Sequence, residues 1–176
     1  MTSFFSKIEP YISQDKIEQK IQDLGQKIAQ DYAGQELICV CILKGSIIFF
    51  SDLIRAIDDD IRIDFMRISS YGNDLESSGV VQILQDLSFD IRDKHVLIVE
   101  DIVDTGNTLS ALLETLRLRN PASIKLCSLL SKPSRRKKDV NIDYLGFTID
   151  DHFVVGYGLD AAEQYRNLPF IGKLNL

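Results

Sequence analysis

Two adjacent carboxylates, a glycine and several hydroxyls stand together in the stretch Val96-Leu97-Ile98-Val99-Glu100-Asp101-Ile102-Val103-Asp104-Thr105-Gly106-Asn107-Thr108-Leu109. An apolar run of strand type leads into Glu100 and Asp101, and a polar loop then opens a helical pattern. Backbone N–H groups at a helix N-terminus form an anion site. Gly106 lets the backbone approach a ligand closely, and Thr105 and Thr108 can donate to phosphate oxygens. Glu100 and Asp101 are acceptors suited to ribose hydroxyls or to a hydrated cation. The combination points to a phosphorylated sugar. Carboxylates beside a phosphate site repel the ligand, so a divalent metal is the natural companion. An isolated Asp-Thr-Gly is more plainly a turn with an Asp-Thr cap; the length of this stretch favours the site.

Other groups with chemical potential are spread along the chain. Lys44-Gly45-Ser46 follows the apolar run Leu37–Leu43, and Ser69-Ser70-Tyr71-Gly72 opens a polar loop. Lys132 follows another apolar run, and Phe153-Val154-Val155-Gly156-Tyr157-Gly158-Leu159-Asp160 precedes Tyr165-Arg166. Taken singly, Lys44 and Lys132 read as surface lysines, Phe153 as core, Asp160 as a turn residue and Arg166 as an ion-paired surface residue. Their joint order, each at a strand end or in a loop, gives them more meaning. The glycines at 156 and 158 imitate a dinucleotide fingerprint, but too little chain follows for the βαβ unit such a site needs. Arg135-Arg136-Lys137-Lys138 reads as a solvated basic loop, and His95 and His152 as structural.

In this order and spacing the chain resembles the bacterial-type hypoxanthine-guanine phosphoribosyltransferases, within the type I phosphoribosyltransferases. The resemblance runs from about Ile8 to the C-terminus. It implies joining of a 6-oxopurine (hypoxanthine or guanine) to the ribose C1 of phosphoribosyl pyrophosphate, giving IMP or GMP and releasing pyrophosphate. Asp104 matches the residue at the purine N7, and Asp104, Thr105, Gly106, Asn107 and Thr108 match the 5′-phosphate loop. Asn107 stands where some members carry Lys and bacterial members commonly carry Asn. Glu100 and Asp101 match the ribose and magnesium-shell pair, and Asp160 matches a direct Mg2+ ligand. Lys44, Gly45 and Arg166 match the pyrophosphate site, with a cis peptide between Leu43 and Lys44. Lys132 matches the partner of the 6-oxo group, Phe153 the aromatic that stacks on the base, and Val154 and Asp160 the backbone contacts to the base edge. Ser70 and Tyr71 match a lid over residues 70–79. The family assembles as homodimers or homotetramers. Ala161 and Ala162 stand where other members are bulkier. Two alternatives remain open: a non-catalytic regulator that senses phosphoribosyl pyrophosphate, and a xanthine-preferring transferase.

The elements that must position these residues are legible as patterns. Ile17, Ile21, Leu24 and Ile28 share one helical stripe opened by Ser13 or Gln14 and closed by Gly34. Residues 36–43 are apolar on both faces, as in a parallel strand covered by helices. Helices are expected over 47–57 and 108–119. Strands are expected over 61–70, 80–87, 95–100, 123–130, 143–149 and 153–157. This alternation predicts an α/β fold, with a central mostly parallel sheet flanked by helices. The resemblance adds the type I phosphoribosyltransferase fold and a small hood built from the N- and C-terminal segments. No linker divides residues 1–176, so one domain is expected. The chain has 176 residues, 45% hydrophobic and 26% charged, with a net charge of −6, which speaks against nucleic acid or anionic lipid as partner. Its longest apolar run, seven residues, is far below a membrane span. Cys39, Cys41 and Cys127 lie in apolar runs and read as reduced core thiols of a cytoplasmic protein.

Overall fold

The computed structural model of the chain describes residues 8–70 and 81–174. Strand β1 (Ile8–Ile12) precedes helix α1 (Gln14–Asp31), then β2 (Leu37–Leu43), α2 (Ile47–Ala56), β3 (Ile61–Ser70) and β4 (Val81–Gln85). The second half runs β5 (His95–Val103), α3 (Asn107–Arg117), β6 (Ser123–Ser131), β7 (Tyr144–Thr148), β8 (Val154–Val155) and β9 (Ile171–Leu174). Six strands form one sheet in the order β4-β3-β2-β5-β6-β7. Every pairing in it is parallel except β3 with β4.

Strand alternation sorts the core. Leu37, Cys39 and Cys41 face α1 and α2, packing with Ile17, Ile21, Leu24, Phe49 and Leu53. Ile38, Val40 and Ile42 face α3, packing with Leu109, Leu112 and Leu116. A strand buried on both sides has no place for a polar residue, hence the unbroken apolar run. The three cysteines are free and buried, and burial pushes the Cys39 thiol up to about 12 and the Cys41 thiol to about 11. They are core residues without thiolate character at neutral pH.

Chain direction across the sheet switches between its two central strands. From β2 the chain moves through α2 to β3 on one side; from β5 it moves through α3 to β6 on the other. Such a switch leaves a crevice beyond the carboxyl ends of the two strands. Lys44 to Ser46 follow β2 and Asp104 to Gly106 follow β5, so both loops border it.

A second, smaller sheet has the order β1-β9-β8 and is antiparallel throughout. Neither β1 nor β9 was anticipated from the sequence. They are five and four residues long, and Pro10 pairs opposite Gly172, so each carries too few residues to show a period. Two other expectations are corrected. Strand β5 continues past the expected end at Glu100 to Val103, so Asp101 too is a strand residue. The strand expected over 153–157 contracts to Val154–Val155, because Gly156 (φ +95°) and Tyr157 (φ +51°) turn the chain away. Among the described residues no helix is long and apolar enough to cross a membrane.

Candidate active site

The loop after β5 ends in a helix start without a side-chain cap. Gly106 is the N-cap of α3, in the left-handed region at φ +81°, and has no side chain with which to cap the helix. The loop is braced from outside: the N–H groups of Lys137 and Lys138 donate to Thr105 O at 2.9 and 3.0 Å. The Asn107 N–H donates to Thr105 Oγ1 at 3.4 Å. A side chain at 106 would collide with Lys138 O. Glu100, Asp104, Thr105, Gly106 and Thr108 line a cavity of about 270 Å³, onto which the N-terminus of α3 opens. An anion there meets the backbone amides at the start of α3 and the positive end of the helix dipole.

Glu100 and Asp101 form the wall of this crevice. Glu100 Oε2 is buried and meets no hydrogen-bond donor. Burial, with the Asp101 carboxylate beside it, holds the Glu100 carboxyl well above its ordinary range. Burial also raises Asp101, opposed by hydrogen bonds from Glu100 and the Ile102 N–H and by the Arg166 charge. On the far side, Asp101 Oδ2 occupies the space that a side chain at Gly45 would need. Gly158 (φ +98°) meets the Gly45 carbonyl in the same way. The Leu43–Lys44 peptide is cis, as the family resemblance implied. The loop after β2, the β5 carboxylates and the turn at 158 are thus packed backbone against side chain.

The larger cavity, about 560 Å³, is lined by Asp101, Asp104, Lys132, Phe153, Val154 and Asp160, together with Arg135 and Asp151. Asp104 lines both cavities. Phe153 is 49% exposed, so it is a shelf at the cavity edge and not the core residue its type alone suggests. Lys132 is the opposite case: only 7% exposed, with Nζ 3.7 Å from Asp151 Oδ1. Val154 is buried and fixed by pairing with Lys173 of β9.

Arg135 was not anticipated. Residues Pro133–Arg135 form a single 3₁₀ turn that carries Arg135 Nε to 3.0 Å from Asp104 Oδ1 and Nη1 to 3.4 Å from Asp151 Oδ2. Arg136 Nη2 donates to Ser131 Oγ at 2.8 Å. The basic run is solvated as expected at Arg135, Lys137 and Lys138, which are exposed, but the Arg135 and Arg136 side chains and the Lys137 and Lys138 amides also brace the cavity walls. The one sequence signal was Pro133 directly after Lys132, which starts a tight turn at the strand end.

At the third corner, Lys44 Nζ lies 3.0 Å from Glu163 Oε2. Arg166 Nη2 lies 2.8 Å from Asp160 Oδ1 and 3.4 Å from Glu163 Oε2, while Nη1 donates to Gly158 O at 2.7 Å. Hydrogen bonding and charge from Lys44, with Arg166 adding to them, hold the Glu163 carboxyl below its ordinary value. Asp160 Oδ2 accepts the Glu163 N–H at 2.8 Å. Ser70 ends β3, whereas Tyr71 and the rest of the expected lid lie outside the described residues. His95 Nδ1 pairs with Ser123 Oγ at 2.8 Å and His152 packs edge-on to Tyr11, both structural roles. Among the described residues no group of three or more His, Cys, Asp or Glu could by itself hold a metal ion.

Comparison with known proteins agrees with this geometry. The profile of the phosphoribosyl transferase domain matches residues 11–162. The chain is 48% identical over 171 residues to a hypoxanthine phosphoribosyltransferase of Salmonella typhimurium, covering 96% of each chain. It is 49% identical over 166 residues to a hypoxanthine-guanine phosphoribosyltransferase of Staphylococcus aureus, covering 94% of this chain and 93% of that one. The crystal structure of a Staphylococcus aureus hypoxanthine phosphoribosyltransferase superposes with a TM-score of 0.96 at 47% identity, covering 99% of this chain and 96% of the other. An α/β sheet with its switch-point crevice, the cavities that meet at Asp104 and these likenesses together establish that the chain belongs to the phosphoribosyl transferase family.

Proposed function

We propose that this chain is a purine-salvage transferase. It moves the phosphoribosyl group of phosphoribosyl pyrophosphate onto hypoxanthine or guanine, giving IMP or GMP and pyrophosphate. The observation that carries this is the position of Asp104, shared between an anion cavity at a helix N-terminus and a cavity with a lysine and an exposed aromatic face. Sugar phosphate and base would meet over that carboxylate.

Each part has a physical role. Backbone amides of residues 105–108 bind the 5′-phosphate, and Thr105 and Thr108 add hydroxyl donors. The base stacks on Phe153. Lys132, nearly buried, donates to the 6-oxo group; the exocyclic amine of adenine would present a donor to a donor. Val154 and Asp160 meet the base edge through backbone groups. As the C1–O bond breaks and the bond from C1 to the purine nitrogen forms, the purine proton is received or held at N7 by Asp104. Negative charge builds on the departing pyrophosphate, where Lys44 and the forked Arg166 guanidinium lie, with Gly45 giving backbone access. Ser70 and Tyr71 belong to a lid that keeps water from the sugar cation.

The acidic residues fit magnesium. Glu100 has a buried oxygen without a donor, and Asp101 stands beside it with a carboxyl raised by burial. Two such groups are stabilised by a cation, and Mg2+ takes one or two carboxylates and completes its shell with water and substrate phosphates. Glu100 and Asp101 would hold it on the ribose side and Asp160 on the pyrophosphate side. When bound, it neutralises charge on the diphosphate.

The small sheet formed by N- and C-terminal segments acts as the hood of a single domain, since its strand β8 carries Val154 next to Phe153. Three buried free thiols favour a reducing, cytoplasmic setting. Assembly is as a homodimer or homotetramer, without nucleic acid or membrane as partner; light scattering after size exclusion reads the assembly. No observation favours a non-catalytic sensor, because Asp104, Lys44 and Arg166 are all present at the crevice.

The test is pyrophosphate release with magnesium and each of hypoxanthine, guanine, xanthine and adenine. Turnover is expected with the first two and none with adenine. Asp104→Asn should lower kcat by about a hundredfold or more, the usual range for losing a proton-handling group, with little change in sugar-phosphate affinity. Adenine turnover, or unchanged kcat in Asp104→Asn, contradicts the assignment.

A further inference from the structure

The two cations at the pyrophosphate corner already share an anion. A single oxygen, Glu163 Oε2, lies 3.0 Å from Lys44 Nζ and 3.4 Å from an Arg166 guanidinium nitrogen. Lys44 and Glu163 are 119 residues apart in sequence, so the fold brings them together and no helical neighbour relation does. The turn that presents Glu163 is specialised. Its main chain is at φ +66°, and its N–H is held by Asp160 Oδ2 at 2.8 Å, while Asp160 Oδ1 holds Arg166 at 2.8 Å. One carboxylate bridging a lysine and an arginine makes the charge-assisted contacts that a phosphate oxygen of a diphosphate would make. The bridge is also wet: the Lys44 side chain is 49% exposed and the Glu163 side chain 65%. Exposed pairs of this kind are weak, so a dianionic phosphate displaces them readily.

We propose that Glu163 is an internal competitor of pyrophosphate. Its carboxylate occupies the Lys44–Arg166 position in the empty site, yields to the diphosphate end of the substrate, and returns to the two cations as pyrophosphate departs. This rests on the function proposed above and identifies a residue that sets affinity at its pyrophosphate end. The competing charge lowers the grip on the diphosphate and keeps the cations positioned between turnovers.

Calorimetric binding of pyrophosphate and, separately, of IMP, each with magnesium, distinguishes this role from a structural one. Glu163→Gln keeps the size and removes the charge. Glu163→Asn tolerates the left-handed backbone and is too short to reach Lys44. Both should bind pyrophosphate about three- to tenfold more tightly than wild type, the range expected for losing two exposed ion pairs. IMP affinity should stay within about twofold of wild type, because its phosphate binds at the start of α3. Pyrophosphate affinity that is unchanged or weaker in both variants, with normal wild-type binding, overturns this inference alone. Failure of the wild-type chain to bind pyrophosphate overturns the proposed function and the inference with it.

Discussion

Burial leaves Glu100 with a carboxyl oxygen that no donor meets, and this has a measurable sign. Burial and the neighbouring Asp101 raise its folded-state pKa well above the ordinary value. Between the unfolded value, about 4.3, and that raised value, the folded chain binds more protons than the unfolded one. Stability therefore falls as pH climbs through this window and is recovered below it. Glu100→Gln removes the penalty. In metal-free buffer at neutral pH its melting temperature should exceed that of wild type by about 2–4 °C, what ~1 kcal/mol is worth in a chain of this size. The gain should vanish below about pH 4, where both states carry the proton. Activity should fall in the same variant. A lower melting temperature at neutral pH would show that Glu100 is stabilised by contacts other than those described. The site residues were unevenly legible at this scale. Glu100, Asp101 and Asp104 announce themselves because adjacent carboxylates at the end of an apolar run have no packing purpose. Arg135 and Glu163 do not, since each looks like an ordinary surface charge until a turn brings it to a partner at the crevice rim.

Elements explain how the cavities keep their shape. The start of α3 depends on Gly106, whose φ of +81° and close approach to Lys138 O leave no room for a side chain. Gly106→Ala should cost about 1–3 kcal/mol of backbone strain. It should also weaken IMP binding at least tenfold by calorimetry, while Lys125→Ala, whose side chain pairs with Asp31 and Tyr144 away from the crevice, should leave that binding unchanged. Equal IMP binding in Gly106→Ala would mean that the loop tolerates a Cβ. The central strands could be read from sequence because both their faces are buried, which forces runs such as Leu37–Leu43. Their exact ends could not: β5 continues to Val103 because Ile102 and Val103 pair in register with Leu130 and Ser131 of β6, a partner that local pattern does not reveal. The short strands β1 and β9 escaped for the same reason, being held by each other and not by their own composition.

At the scale of the whole molecule the two sheets divide the work. The large sheet supplies both loops that border the crevice, and the small sheet supplies Val154 and, beside it, Phe153. Ile8 of β1 is buried against Val155 and Leu168 in the small sheet's own cluster. Ile8→Ser should loosen this sheet at a cost of about 1–3 kcal/mol. The KM for hypoxanthine should rise severalfold, with little change in the KM for phosphoribosyl pyrophosphate. A rise confined to the sugar-phosphate substrate would instead assign the small sheet to the diphosphate corner.

The register that sets Ile8 opposite Leu174 has a temporal consequence. Strands of the large sheet pair across shorter stretches of chain, the longest joining Leu37 to His95, whereas β1 must wait for Leu174, and closing a loop of that length carries the greatest entropy loss. A chain emerging from denaturant is therefore expected to form the crevice at the ends of β2 and β5 first. The small sheet, and with it the Phe153 edge of the larger cavity, is expected to assemble last and to open first when the protein is warmed, which hydrogen exchange of the Val154 and Val155 amides would read.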